Sequence, residues 1–90
     1  MTIIDRASPN RSRRRQPIDA IVLHTTGSPS VDGTLRWFAT PESQVSAHYV
    51  IDTTGIVYRC VGESDKAWHA GESELWGRLG VNDFAIGIEL

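Results

Sequence analysis

The chain has little of what would place it in several broad classes of protein. Its single cysteine, Cys60, cannot form an internal disulfide, which excludes the cross-linked framework of many small secreted domains. No run approaches the roughly 18 apolar residues of a membrane span, and the N-terminus lacks the apolar stretch of a signal peptide. A formal net charge of only −2 predicts no nucleic-acid or membrane-surface partner for the chain as a whole. We therefore expect cytoplasmic synthesis without a signal peptide.

The sequence also lacks internal repeats and the short motifs of local zinc sites. Neither CxxC nor HExxH occurs, and the arginine cluster near the N-terminus is the only biased tract. What is present is an ordinary globular composition, with 40% hydrophobic and 22% charged residues among 90. A chain of this length predicts one small domain with a thin core.

Residues 1–16 form a polar, basic leader, followed by residues 17–90 as the structured part of the chain. The leader contains four clustered arginines, namely Arg11, Arg13, Arg14 and Arg15. One interpretation is a mobile or edge-packed segment, because short charge runs are usually solvated. The alternative is a contact with an anionic polymer.

The structured part predicts a strand, a helix and a hairpin in that order. Residues 20–24 are a β-prone run ending on a histidine, and residues 25–30 are turn-rich. Ser30 or Asp32 can cap a helix that Pro41 bounds, and the expected apolar side of this helix comprises Leu35, Trp37 and Phe38. Residues 46–52 and 55–61 predict a β-hairpin.

The C-terminal third predicts a long surface loop and a final strand. Residues 62–82 are rich in Gly, Glu and Ser, which indicates a loop with one helical turn. Residues 84–90 alternate with period two, so that Ala85, Gly87 and Glu89 share one face. Together these elements predict an α/β fold with a mixed β-sheet and flanking helices.

Two residues at the ends of predicted strands are candidates for chemistry. His24 ends the first strand, where a rigid scaffold can hold a metal ligand or a general base, although a hydrogen-bonded structural histidine is the alternative. Glu89 lies beyond Ala85 and Gly87, whose small side chains leave room for something to approach the sheet. Desolvation there would raise the pKa of this carboxyl toward the useful range for acid–base catalysis. The alternative is a solvated residue at a frayed strand end.

Residues 68–71 are the third candidate, because they combine an aromatic plate, an imidazole and two minimal side chains. Trp68 and His69 would suit a sugar or peptide ligand that needs close backbone approach. Alternatively, Trp68 anchors the loop and His69 caps a turn. We interpret His48, in the hairpin, as a structural or supporting residue.

Four blocks of sequence, in this order, resemble the zinc-dependent N-acetylmuramoyl-L-alanine amidases. This family includes phage amidase-type lysozymes, bacterial anhydro-muropeptide amidases and peptidoglycan recognition proteins. The blocks are residues 21–26, 46–51, 67–71 and 82–90, so the resemblance covers nearly everything after Pro17.

The resemblance implies a zinc enzyme that cleaves the amide between N-acetylmuramic acid and L-alanine in peptidoglycan or muropeptides. It implies that His24 is a zinc ligand, that Glu89 is the catalytic carboxylate, and that Trp68 and His69 line the substrate groove. In some members a hairpin tyrosine is catalytic, and Ala47 stands at that position here. This implies the branch that relies on the glutamate.

The resemblance also implies that the C-terminal part of the domain is missing. The other zinc ligands, a histidine and a cysteine or aspartate, are expected beyond Leu90, from a C-terminal segment or a second chain. Two alternatives to an enzyme are a peptidoglycan-binding module without metal and a truncated fragment with an incomplete site. Phage lysis of the wall and recycling of muropeptides both remain open as settings.

Overall fold

The computed structural model describes residues 1–25 and 30–90. Within these ranges the fold contains one α-helix, α1 (Val31–Ala39), and nine strands. The strands are β1 (Ile3–Asp5), β2 (Arg11–Arg13), β3 (Ala20–His24), β4 (Tyr49–Ile51), β5 (Val57–Arg59), β6 (Asp65–Ala67), β7 (Glu74–Leu75), β8 (Arg78–Leu79) and β9 (Ala85–Glu89). Short 3₁₀ turns at Pro41–Ser43 and Val81–Asp83 complete the described elements.

The centre of the fold is a mixed sheet in the order β1-β5-β4-β9-β3. β9 runs parallel to both of its neighbours, β3 and β4, while β4 and β5 form an antiparallel hairpin. Gly55 makes the hairpin turn with a φ of +90°, a conformation that glycine adopts without strain. The predicted α/β class with a mixed sheet is confirmed.

Helix α1 begins where the sequence predicts, because the Ser30 side chain accepts a hydrogen bond from the Gly33 N–H at 3.0 Å. It ends at Ala39, ahead of Pro41. Its packed face differs from the predicted one: Thr34, Leu35 and Phe38 are buried, whereas Trp37 is 56% exposed. Trp37 lies two residues from Leu35, about 200° around the helix, so the two side chains cannot share a face. The predicted turn at residues 25–30 lies largely outside the described residues.

The N-terminal segment packs along the sheet. β1 pairs with β5 in parallel, and β2 pairs with β6 in antiparallel orientation. Between them, the buried side chain of Ser8 donates a hydrogen bond to the carbonyl of Phe38, and the buried amide of Asn10 donates to Val45 O at 2.9 Å. The segment therefore connects the end of helix α1 to the sheet.

Residues 62–82 contain more regular structure than the predicted loop. Besides β6, they form a small hairpin from β7 and β8 and a 3₁₀ turn that leads into β9. Isolated pairs of two-residue strands carry almost no sequence periodicity, so the pattern of this segment could not indicate them.

The main core lies between helix α1 and the sheet. Its buried residues are Leu35, Phe38, Ala47, Val50, Cys60, Val61 and Ala67. On edge strand β3, by contrast, Ile21 and Leu23 are exposed while the alternating Val22 and His24 are partly buried. His24 thus lies on the face that turns toward the interior. Within the described ranges, no helix is long and apolar enough to cross a membrane.

Candidate active site

The two strand-end candidates are direct neighbours in the sheet. β3 and β9 pair in register, so that Val22 lies beside Gly87 and His24 lies beside Glu89. Leu90 N–H donates to His24 O at 2.9 Å, which closes the pairing at this end. Because paired residues in adjacent strands point to the same face, the imidazole and the carboxylate emerge together.

A cavity of about 520 Å³ opens between helix α1 and this edge of the sheet. Trp37 lines it from the helix, Trp68 and His69 from the segment after β6, and Glu89 from the sheet. The structure thus brings three of the four predicted site residues to one cavity and places the fourth, His24, in contact with His69. Sequence reasoning assigned Trp37 to the core instead. Its helical phase, shared with Gly33 rather than with Leu35, is the signal that could have found it.

Glu89 is placed where its charge is poorly solvated. Its Oε2 atom is buried and has no hydrogen-bond partner among the described residues. Burial raises the pKa of this carboxyl above its ordinary value, and the neighbouring His24 acts in the opposite direction. A carboxylate held in this way is a stronger base than a solvated one.

His69 and His24 contact each other edge to face. Nε2 of His24 lies 3.1 Å from Nδ1 of His69, and the ring centroids are 5.2 Å apart at 77°. Burial lowers the pKa of His69 to about 4, and the rings of His24 and His48 act in the same direction. His69 is therefore neutral at pH 7.

The segment that carries Trp68 and His69 is fixed by three polar side chains. Asn82 Oδ1 accepts from the backbone N–H groups of His69 and Ala70 at 3.1 and 2.9 Å. Ser46 Oγ accepts from the Trp68 N–H at 3.0 Å, and the indole N–H of Trp68 donates to Ser12 Oγ at the same distance. Sequence reasoning missed these anchors, because single Ser and Asn residues occur in every loop.

His48 lies beside the site and is completely buried. Its Nδ1 accepts a hydrogen bond from the Gly87 N–H at 3.1 Å, so its Nε2 carries the proton and donates to Asp65 O at 2.9 Å. The guanidinium of Arg14 lies against the same nitrogen at 3.1 Å and donates to the carbonyls of Glu63 and Asp65.

The described residues fit part of a metal site. His24 offers an imidazole that contacts His69, and its neighbour in the sheet, Glu89, has a buried oxygen with no hydrogen-bond partner among the described residues. However, residues 1–25 and 30–90 contain no group of three or more His, Cys, Asp or Glu side chains able to hold a metal. Since a catalytic zinc takes three protein ligands and a water, the described residues can supply one ligand of such a set.

Comparison with known proteins identifies the family. The model of the N-acetylmuramoyl-L-alanine amidase family matches residues 14–90. The chain belongs to this family. Its match includes Arg14, which the sequence analysis assigned to the leader.

Relatives of this amidase-family chain include enzymes of two kinds. It is 51% identical over 49 residues to the 1,6-anhydro-N-acetylmuramyl-L-alanine amidase AmpD of Haemophilus influenzae, covering 54% of this chain and 27% of that protein. It is 36% identical over 84 residues to N-acetylmuramoyl-L-alanine amidase A of Achromobacter lyticus, covering 92% of this chain and 42% of that protein. The chain therefore spans less than half the length of these two relatives.

Solved structures share the fold. A selenomethionine derivative of AmpD superposes on 97% of this chain and 59% of its own, with a TM-score of 0.83 and 29% identity. The catalytic domain of XlyA covers 99% of this chain and 60% of its own, with a TM-score of 0.75 and 25% identity. The ninety residues thus correspond to about three fifths of each solved chain.

Proposed function

We propose that this chain carries part of the active site of a zinc-dependent N-acetylmuramoyl-L-alanine amidase. The reaction is hydrolysis of the amide that joins the lactyl group of N-acetylmuramic acid to the L-alanine of the stem peptide. The observation that carries the proposal is the in-register pair of His24 and Glu89 at the ends of two parallel strands, beside a cavity with tryptophans on its walls.

His24 would hold the zinc as the one ligand that the described residues supply. The other ligands would have to come from outside these residues, as the sequence resemblance implies. When bound, zinc supplies polarisation of the scissile carbonyl and a pKa near 7 for its water.

Glu89 is the proposed general base and acid. Its partly desolvated carboxylate accepts a proton from the attacking water and delivers it to the nitrogen of the departing L-alanine. Strand β9, held between two parallel neighbours, keeps this group fixed while the proton moves. Ala47, at the position of the catalytic tyrosine in some members, is fully buried and contributes no proton-transfer group.

The walls of the cavity are the proposed substrate contacts. Trp68 presents an indole that is anchored through its N–H to Ser12, so its face is free to lie against a sugar or an alkyl group. His69 lines the same wall, and Trp37 faces it from helix α1. Anhydro-muropeptides released during recycling and intact murein are both chemically compatible with this arrangement.

The decisive experiment is the Glu89→Gln substitution in the full domain, which carries the remaining zinc ligands, after loading with zinc. We expect the rate of release of L-alanine peptides to fall by about 10²- to 10⁴-fold, because the amide cannot take up the proton, while the zinc content stays unchanged. Purified anhydro-muropeptide and intact murein should be assayed in parallel, so that the preferred substrate emerges from the same experiment.

Glu72→Gln is the matched control, because Glu72 is exposed and lies outside the cavity lining. It should leave the rate unchanged. Full activity in the Glu89→Gln protein would contradict the proposed role and assign the base to another group.

One observation favours a second candidate, a peptidoglycan-binding module without metal. It is the lack of a three-ligand group within the described parts of the chain. Muropeptide binding by metal-free protein, combined with no turnover after addition of zinc, would support this second function over the first.

A further inference from the structure

We infer that His69 is a positioning residue for His24, in addition to lining the cavity. Its Nδ1 accepts the Nε2–H of His24, which leaves Nδ1 of His24 as the nitrogen with the lone pair for a metal. This inference rests on the proposed function for the role of His24 as a metal ligand, whereas the contact between the two rings does not depend on it.

The first support is the contact itself. Nε2 of His24 and Nδ1 of His69 are 3.1 Å apart, within hydrogen-bond distance, and the rings meet at 77°. An edge-to-face arrangement lets an N–H of one ring point at the lone pair of the other. A histidine that binds metal through one nitrogen almost always donates its other N–H to a partner, and His69 is in that place for His24.

The direction of the hydrogen bond follows from which nitrogen of His24 faces His69. Nε2 of His24 is engaged by His69, so Nδ1 is the nitrogen of His24 that remains for a metal. A neutral imidazole with its lone pair on Nδ1 carries its proton on Nε2, and Nε2 of His24 therefore donates to Nδ1 of His69.

The sheet is shaped to hold the His69 ring. A Cβ atom on Gly87 would lie 2.4 Å from Cγ of His69 and 2.8 Å from its Nδ1, far inside contact distance. The small side chain of Gly87 was predicted to leave room for something to approach the sheet, and the ring of His69 lies in that room. From the other direction, Asn82 holds the backbone of His69 in place.

These contacts form a short chain of support that ends on His24. Gly87 provides the space, Asn82 fixes the backbone, and His69 provides the acceptor for the imidazole of His24. A side chain without an acceptor at this point would let the His24 ring choose either tautomer and rotate. Metal binding would then have to order the ring, at a cost in affinity.

The first measurement is the tautomer of His24 in the unsubstituted, metal-free protein, read from long-range ¹H–¹⁵N correlations of the imidazole rings. We expect a proton on Nε2 of His24 and none on its Nδ1. A proton on Nδ1 would overturn the inference, and this reading requires neither a variant nor zinc.

The second measurement compares His69→Asn with His69→Leu in the full domain, which carries the remaining zinc ligands. The Oδ1 atom of asparagine can stand close to the position of Nδ1 and accept the same hydrogen bond, whereas leucine fills similar space without an acceptor. We expect His69→Leu to lose the single tautomer and to weaken zinc binding by roughly 10- to 100-fold, and His69→Asn to restore most of both. Equal behaviour of the two variants would contradict a positioning role.

His24→Ala separates this inference from the proposed function. If zinc affinity is the same in His24→Ala as in the parent protein, the metal is not at His24 and the proposed function fails. The tautomer of His24 would still decide whether His69 holds the ring. A uniform loss of resonance dispersion in His69→Leu would indicate unfolding, in which case Gly87→Ala, which displaces the His69 ring, replaces it.

Discussion

His48 and His69 lie side by side, with ring centroids 6.1 Å apart, but the protein uses their polar atoms differently. Both nitrogens of His48 are saturated by backbone groups, one by the Gly87 N–H and one by the Asp65 carbonyl. His69 directs one nitrogen at His24, has no hydrogen-bond partner for the other among the described residues, and lines the cavity.

This difference separates residues that stabilise the fold from residues that are able to bind a ligand. The surroundings of His48 form a closed polar network with Arg14, in which each group is bonded within the fold and none is available to a ligand. On the cavity side, Oε2 of Glu89 has no hydrogen-bond partner among residues 1–25 and 30–90, and His24 contacts His69, so these groups are able to bind a ligand. We call the network around His48 and Arg14 the closed side, and the cavity lining with Glu89 and His69 the open side. Substitutions on the closed side should change stability, and substitutions on the open side should change binding or catalysis.

The largest effect on the closed side is expected from Arg14→Leu. Its guanidinium donates to the carbonyls of Glu63, Asp65, Asp83 and Ala85 at 2.9 to 3.3 Å, and leucine would leave these acceptors without their charged donor. We expect the free energy of unfolding to fall by about 3 kcal/mol, from the loss of several hydrogen bonds to a charged group. Urea denaturation followed by circular dichroism measures it.

Arg15→Leu is the control for that substitution, because Arg15 is the exposed neighbour of Arg14. It should change stability by less than about 0.5 kcal/mol. If both substitutions cost the same, the network around His48 would not be what stabilises this part of the fold.

A smaller effect is expected from pH. Burial lowers the pKa of His48 below its ordinary value, and the nearby Arg14 acts in the same direction. In the unfolded chain, His48 therefore takes up a proton near pH 6.5, whereas in the folded chain it becomes protonated only at lower pH. Stability is full above that pH and declines as the pH falls toward the folded-state pKa, by at most about 1.4 kcal/mol per pH unit for this group.

His48→Asn isolates this contribution, because its Oδ1 atom can still accept from the Gly87 N–H. We expect a less stable protein at pH 7, but a smaller loss of stability between pH 7 and pH 5 than in the parent. Parallel pH profiles for the two proteins would show that His48 titrates freely in the fold and is not held neutral.

The smallest effect belongs to the open side and concerns Trp37. It is 56% exposed but lines the cavity, whereas Trp76 is 76% exposed in the turn between β7 and β8. We expect Trp37→Ala to weaken muropeptide binding by roughly three- to tenfold, the value of one aromatic contact, with little change in stability. Calorimetric titration of both variants with muropeptide tests this prediction, and the control Trp76→Ala should bind normally.

Much of the fold was accessible from local patterns. Local sequence signals, either a hydrophobic periodicity or a capping or turn residue, mark four elements: strand β3 over residues 20–24, the Ser30 cap of helix α1, the central hairpin and the final strand. The mixed sheet follows from the order of these elements. The small strands β6, β7 and β8 have no such signal. The pairing of β1 and β2 depends on distant partners, which a single sequence does not reveal.

For the candidate site, the sequence predicted residue types, and the tertiary structure showed how those residues are arranged. Residues at strand ends and the cluster at positions 68–71 were recognisable because their types suit the chemistry. Trp37 was misassigned because hydrophobicity alone does not fix the phase of a two-turn helix. The space above Gly87 was predicted, but its occupant was not, since small residues on a strand indicate space and not what fills it.

By itself, the sequence determined the secondary elements around the site, the placement of His24 and Glu89 at strand ends, and the resemblance to the amidases, because each depends on residues close together along the chain. The tertiary structure decided that β3 and β9 are in-register neighbours, that His69 occupies the space above Gly87, and that Arg14 belongs to the closed network around His48. These contacts join residues 18 to 71 positions apart, and such pairings are fixed by packing and by the satisfaction of buried polar groups.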